Sequence, residues 1–286
     1  MSLRLGNLAL DGKCHVMGIL NVTPDSFYDG GLHFDLADTQ KRVDAMIKEG
    51  ADIIDIGGES TRPGSKPVTI DEELDRVIPA IQYISENYEI PVSIDTQKAE
   101  VARKAVEAGA HIVNDVGGLR NDDMISVVAE MNVPVIMMHM QGTPDNMQKN
   151  PQYGDVVEDI KNWLEERIKA AEMAGINRSD IIVDPGIGFG KNLKHNLELL
   201  GRLKEFKGMA GGVLLGASRK SFIAMMTGNE NRDRLTGSLS AAIMGVTGGV
   251  DILRVHDVKE TLSAVNAVHS CLLYTSDAAD EGLGVD

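Results

Sequence analysis

One pattern constrains this chain more than any other: a run of apolar residues of strand length followed by an amphipathic helical stretch, repeated eight times. The strand-like runs are "HVMGILNV", "ADIIDIG", "PVSIDT", "HIVNDVG", "VPVIMMHM", "IIVDPG", "GVLLGAS" and "DILRVHDV". Between them lie helical patterns such as "LADTQKRVDAMIKEG", "IDEELDRVIPAIQYISENY", "KAEVARKAVEAG" and "VVEDIKNWLEERIKAAEMAG", several of which close on glycine, the residue a left-handed helix end prefers. The runs are rich in Val and Ile and nearly continuous in apolar character, as strands buried on both faces of a parallel sheet must be. Eight such units predict an α/β fold in which a single (β/α)8 TIM barrel follows a short N-terminal extension, rather than an open doubly wound sheet of fewer strands. No low-complexity linker divides the chain, so residues 1–270 read as one barrel domain.

Residues 271–286 read differently. "CLLYTSDAADE" resembles the translation of an adaptor used in preparing sequencing libraries, so a non-native tail is expected from Cys271 onward, and it takes no part in the functional reading.

Composition excludes some partners. A formal net charge of −15 repels polyanions at long range, which argues against nucleic acid and anionic membrane surfaces. Any anionic substrate must therefore meet a local group of cations. No apolar run approaches the length of a membrane span, and "MSLRLGNLAL" lacks the basic start of a secretion signal, so a cytoplasmic location is expected. Cys14 and Cys271 have no metal-type spacing, and the seven histidines form neither His-x-His nor His-Glu-x-x-His, so no zinc site is expected.

Polar residues collect where the runs end. Asn21, Asp95, Asn114, His139, Asp184, Ser218, Arg254 and His256 each stand at or just past the C-terminal end of a strand. In a barrel of this kind that is the face on which active sites are built. Any one of them could be a turn or cap residue; eight together indicate a site.

Arg254 and His256 are two apart and so share a side of their strand, while Arg219 and Lys220 of "GASRKSF" come from the neighbouring loop. A few charge-assisted hydrogen bonds here could hold a diphosphate despite the acidic surface. "DPGIGFGK" fails as a phosphate loop, because Pro185 occupies the first glycine position and Asn192 follows Lys191. Asp95 and Asp184 are expected in the interior, where an ionised carboxylate needs strong partners. Two partners remain open: the guanidine-like edge of a heterocycle, completed by Asn114, or a buried Lys or Arg.

Taken in order, "GILNVTPDSFYDGG", "DIGGESTRPG", "SIDT", "NDVGG", "MHMQGTP", "DPGIGFGK", "GASRKSF" and "RVHDV" resemble the dihydropteroate synthase family over Gly18 to about Val258. The resemblance implies a homodimeric enzyme that joins (7,8-dihydropterin-6-yl)methyl diphosphate to 4-aminobenzoate. It implies a pterin pocket of Asp95, Asn114, Asp184 and Lys220 with Arg254 stacked on the ring, and a diphosphate site of Asn21, Arg254 and His256 with Mg²⁺ near Asn21. Asn21, Lys220, Arg254 and His256 are thereby implied as the catalytic set. The 4-aminobenzoate site is implied at Thr61, Arg62, Pro63, Phe189 and Ser218, with "GGESTRPG" closing over it as a lid. No insertion interrupts "GGESTRPG" or "DPGIGFGK", so sensitivity to sulfonamides is expected. A pterin-binding methyltransferase serving a corrinoid protein shares such a barrel, but needs neither the "SRK" and "RVH" cations nor "STRPG". A non-catalytic pterin-binding protein needs fewer still.

Overall fold

The computed structural model describes residues 3–23, 36–60, 67–144, 146–228 and 234–281, with side chains described through Leu272. Eight strands, β3 (His15–Asn21), β4 (Ile53–Gly57), β5 (Val92–Asp95), β6 (Ile112–Asp115), β7 (Val135–Met138), β8 (Ile181–Asp184), β9 (Gly212–Leu215) and β10 (Ile252–Val255), close into a parallel barrel in sequence order. The expected (β/α)8 barrel is thus observed. The strands are shorter than the apolar runs that announced them, losing residues at one or both ends of each run.

The N-terminal extension is a small hairpin of β1 (Arg4–Leu5) and β2 (Leu8–Ala9), turning at Gly6 with φ of +59°. Its Leu5, with the flanking Leu3 and Leu10, packs against Met17, Ile53, Ile112, Ile136, Ile182, Leu214 and Ile252. These inward side chains form an apolar floor at one end of the barrel, and the hairpin covers it.

Side chains alternate along a strand, so the next inward residue lies two positions on. Counting two from Ile53, Ile112, Ile182 and Ile252 gives Asp55, Asn114, Asp184 and Arg254, and two from the buried Ser93 gives Asp95. The same alternation that builds the dry floor therefore delivers a ring of polar groups to the mouth.

The helices wrap outside: α1 (Leu36–Lys48), α2 (Ile70–Asn87), α3 (Ala99–Glu107), α4 (Asp122–Met131), α5 (Val156–Met173), α6 (Leu193–Gly201), α7 (Ser221–Thr227), α8 (Leu235–Thr247) and α9 (Val258–Glu281). Their buried stripes and the outward faces of the strands make one continuous core, with Val77, Ile81 and Ile84 of α2 fully buried. The α2 start is a capping box in which Thr69 and Glu72 each satisfy the other's backbone N–H. Gly50, Gly109 and Gly175, read from the sequence as helix ends, all have positive φ. The expected boundary between Ser270 and Cys271 falls inside α9, whose backbone continues as helix to Glu281. No helix among the described residues is long and apolar enough to cross a membrane.

Candidate active site

The barrel mouth gathers charge around Arg254. Its Nε donates to Asp55 Oδ2 at 2.6 Å and its Nη2 to Asp95 Oδ2, also at 2.6 Å. Asn114 Nδ2 reaches the same Asp55 carboxylate at 3.2 and 3.3 Å. Of the two partners open to Asp95, the structure shows a buried Arg. Burial lifts its carboxyl above the usual carboxylate range, against the pull of Arg254 and with help from Asp55. Burial would also discharge Arg254, but Asp55 and Asp95 hold the guanidinium charged and above its ordinary value.

Asp55 is the member of this group that sequence reading missed. It sits inside "ADIIDIG", where it reads as an interruption of an apolar strand. The signal that finds it is the two-residue step from Ile53, once that side of the strand is known to face inward.

Asp184 stands across the mouth. Its Oδ1 accepts the backbone N–H of Gly186 at 2.7 Å. Its Oδ2 and the Lys220 ammonium both lie 3.8 Å from the point where Gly216 would carry a Cβ, so both groups flank that glycine. Lys220 Nζ also donates to the Ile187 carbonyl at 2.5 Å and lies 4.4 Å from the centre of the Phe189 ring. Burial dominates both groups: it raises Asp184, opposed mainly by Lys220, and lowers Lys220 to about 8, opposed mainly by Asp184. A buried carboxylate and an ammonium at the same end of the barrel offer an acceptor and a donor to a flat polar heterocycle.

The cations expected together as a diphosphate clamp divide between two places. Arg254 and Lys220 face the interior carboxylates. Arg219, turned by a left-handed backbone at φ of +55°, points instead to the rim, where its Nε donates to Asp257 Oδ2 at 2.9 Å. His256 lies one residue past the end of β10. Its backbone N–H donates to Ser218 Oγ at 3.2 Å, its ring Nδ1 lies 3.1 Å from the same oxygen, and its carbonyl accepts from Arg42 at 3.0 Å. Asn21, Arg42, Arg219, His256, Asp257 and Glu260 line a cleft of about 530 Å³ at this rim.

Among the described residues no three His, Cys, Asp or Glu side chains are grouped to hold a metal. Asn21 in the rim cleft offers one hard amide oxygen. That donor set suits Mg²⁺ completed by phosphate oxygens and water, and it does not suit an all-protein cage.

Thr61, Arg62 and Pro63 lie outside the described residues. The stem that carries them is described, and Glu59 organises it. Its Oε1 accepts the backbone N–H of Val68 at 3.2 Å and its Oε2 accepts Lys98 at 2.5 Å, while Lys98 also holds the buried Glu73 at 2.5 Å. Arg76 adds a bond to the Gly58 carbonyl at 2.8 Å. Glu59 thus joins the two ends of the segment.

"DPGIGFGK" is a tight turn. Gly186, Gly188 and Gly190 have φ of +69°, +83° and +63°, a region that side chains with a Cβ disfavour. A Cβ on Gly186 would also fall 1.8 Å from the His139 carbonyl oxygen. The glycines bring Phe189 beneath Lys220.

The chain is similar to known proteins in sequence and in fold. A family model described as pterin binding enzyme matches residues 17–256. The chain is 48% identical over 258 residues to the dihydropteroate synthase of Escherichia coli K12, covering 90% of this chain and 92% of that one. It is similar in structure, with a TM-score of 0.89 and 42% identity over 95% of this chain and 99% of the other, to Yersinia pestis dihydropteroate synthase in a sulfonamide drug complex. It is also similar, with a TM-score of 0.86 and 41% identity over the same shares, to the Xanthomonas albilineans dihydropteroate synthase in complex with 7,8-dihydropteroate.

Proposed function

Since the chain belongs to the pterin-binding enzyme family, we propose that it works as a dihydropteroate synthase, a transferase of folate biosynthesis. It condenses (7,8-dihydropterin-6-yl)methyl diphosphate with 4-aminobenzoate and releases diphosphate. The observation that carries this reading is the Asp184–Lys220 pair beside the Arg254 cluster, a carboxylate and two cations converging on the barrel mouth within reach of the rim cleft.

In this reading Asp184 accepts from the guanidine-like edge of the pterin, and Asn114 and Lys220 meet its remaining polar edge. Arg254, locked by Asp55 and Asp95, presents the flat face of its guanidinium to the ring. The diphosphate reaches from Arg254 in the interior out to Asn21 and His256 in the rim cleft. Ser218, Phe189, Thr61, Arg62 and Pro63 receive 4-aminobenzoate.

The amine of 4-aminobenzoate is neutral at pH 7 and brings its own lone pair. A new N–C bond forms at the pterin methylene, the C–O bond to diphosphate breaks, and the amine gives up one proton to solvent. The barrier lies in the departure of diphosphate, so the catalytic groups are those that favour the leaving charge: His256, Arg254, Asn21 and Lys220. Asn21 would hold Mg²⁺, which would supply Lewis-acid neutralisation of that charge. Such a reaction needs no nucleophilic triad.

Assembly and location belong to this proposal. Met225 on α7 and Ile243 and Met244 on α8 are exposed apolar side chains, and their cover by a second copy fits a homodimer. A diphosphate substrate, which does not cross membranes unaided, fits a cytoplasmic enzyme.

Calorimetric titration with the dihydropterin diphosphate in Mg²⁺ tests the pocket. One site per chain is the expected result, and no detectable binding contradicts the reading.

A further inference from the structure

Lys191 has no part in the chemistry above, yet it is only 3% exposed. Its Nζ lies 2.9 Å from the Phe189 carbonyl, to which it donates, 3.0 Å from His139 Nδ1 and 3.5 Å from the His139 carbonyl. Among the described residues no carboxylate makes a salt bridge to it. Burying an ammonium without such a partner is costly. A Met would fill the same space without that cost, so what the lysine adds is the reach of its nitrogen.

Burial pushes the Lys191 amine well below its ordinary value, and burial with Lys191 and Arg120 nearby does the same to His139. The two groups thus meet at 3.0 Å in a buried setting that disfavours charge on either. His139 is itself fixed, standing edge-on to Trp163 at 5.0 Å between ring centres.

The turn they hold is restrained at each peptide. Asp184 takes the Gly186 N–H at 2.7 Å, Asn196 Oδ1 the Gly188 N–H at 2.7 Å, Gln148 donates to the Gly188 carbonyl at 2.6 Å, and Tyr153 to the Gly190 carbonyl at 2.8 Å. Lys191 alone among these side chains secures the carbonyl of Phe189, the residue whose ring lies under the Lys220 ammonium.

We propose that Lys191 is a positioning residue: with His139 it forms a buried strut that fixes the Phe189 peptide and so sets the ring of Phe189 against Lys220 at the 4-aminobenzoate end of the site. This rests on the synthase reading. The strut touches neither substrate, and its loss acts on one substrate more than the other. Without it the Phe189 peptide can rotate and the aromatic wall moves, while Asp184 and Arg254 keep their own partners.

The experiment is steady-state kinetics on Lys191→Met, His139→Gln and His139→Leu beside the unaltered chain. Lys191→Met raises KM for 4-aminobenzoate about tenfold, equivalent to about 1.4 kcal/mol, and moves KM for the dihydropterin diphosphate less than about twofold. His139→Gln, which keeps an acceptor for the Lys191 nitrogen, stays near the unaltered values, and His139→Leu follows Lys191→Met. The proposal is overturned if both KM values of Lys191→Met stay unchanged or rise together, or if His139→Gln is as impaired as His139→Leu. Should Lys191→Met fail to fold, the two His139 variants decide. Failure of the unaltered chain to make dihydropteroate in the same assay sinks the synthase reading instead.

Discussion

Arg254 Nε and Asp55 Oδ2 lie 2.6 Å apart across 199 residues of sequence, and the bond locks a guanidinium that faces the interior carboxylates at the barrel mouth. Removing one partner of a buried ion pair leaves the other charge uncompensated. Because Asp95 still holds Arg254, Asp55→Ala costs about 2 kcal/mol of folding stability, less than a fully isolated pair would lose. It also weakens pterin binding, since Arg254 loses the contact that fixes its plane. Thermal unfolding and calorimetry measure the two effects; unchanged Tm and unchanged affinity would contradict this role.

In the proposed reading Asp184 accepts from the pterin edge. Asp184→Asn puts an N–H₂ or a neutral carbonyl where the ligand's donors meet an anion, and pterin affinity falls by about 2 kcal/mol or more. Unchanged affinity by calorimetry would show that another group reads the ring.

Lys220 sets a pH limit. Burial lowers its pKa to about 8, so the ammonium is present below that pH and lost above it. The profile of kcat/KM for the dihydropterin diphosphate, which reports the unliganded enzyme, therefore falls above pH about 8 and not near the ordinary lysine value. A profile flat to pH 10 would contradict the assignment. On the acid side, Asp184 is raised by burial, so activity fades at a pH above the usual carboxylate range.

Sulfonamides compete with 4-aminobenzoate. Raising 4-aminobenzoate at fixed sulfonamide restores the rate, with an apparent KM that increases with the drug. Turnover that persists with sulfonamide in large excess would contradict an uninterrupted Phe189 wall and "GGESTRPG" segment.

The barrel was legible in the sequence because its strands are apolar on both faces, and most of the site was legible because polar residues at strand ends break that pattern visibly. Asp184, Asp95, Asn114 and Arg254 were found in this way and do converge. Asp55 was hidden because a single carboxylate within "ADIIDIG" gains meaning only when barrel closure brings β4 and β10 to the same mouth. Arg219 and Lys220 are adjacent in sequence and were read as one clamp, but the left-handed backbone at Arg219 sends them to different places. Lys191 looked like part of a failed phosphate loop. Its amine turns inward to His139, a contact across 52 residues that spacing alone does not encode.

The most direct test of the account is to supply the dihydropterin diphosphate, Mg²⁺ and 4-aminobenzoate together and follow both products. The account predicts dihydropteroate and diphosphate in equal amounts, with diphosphate release dependent on 4-aminobenzoate. Binding of the pterin with neither product formed would contradict it.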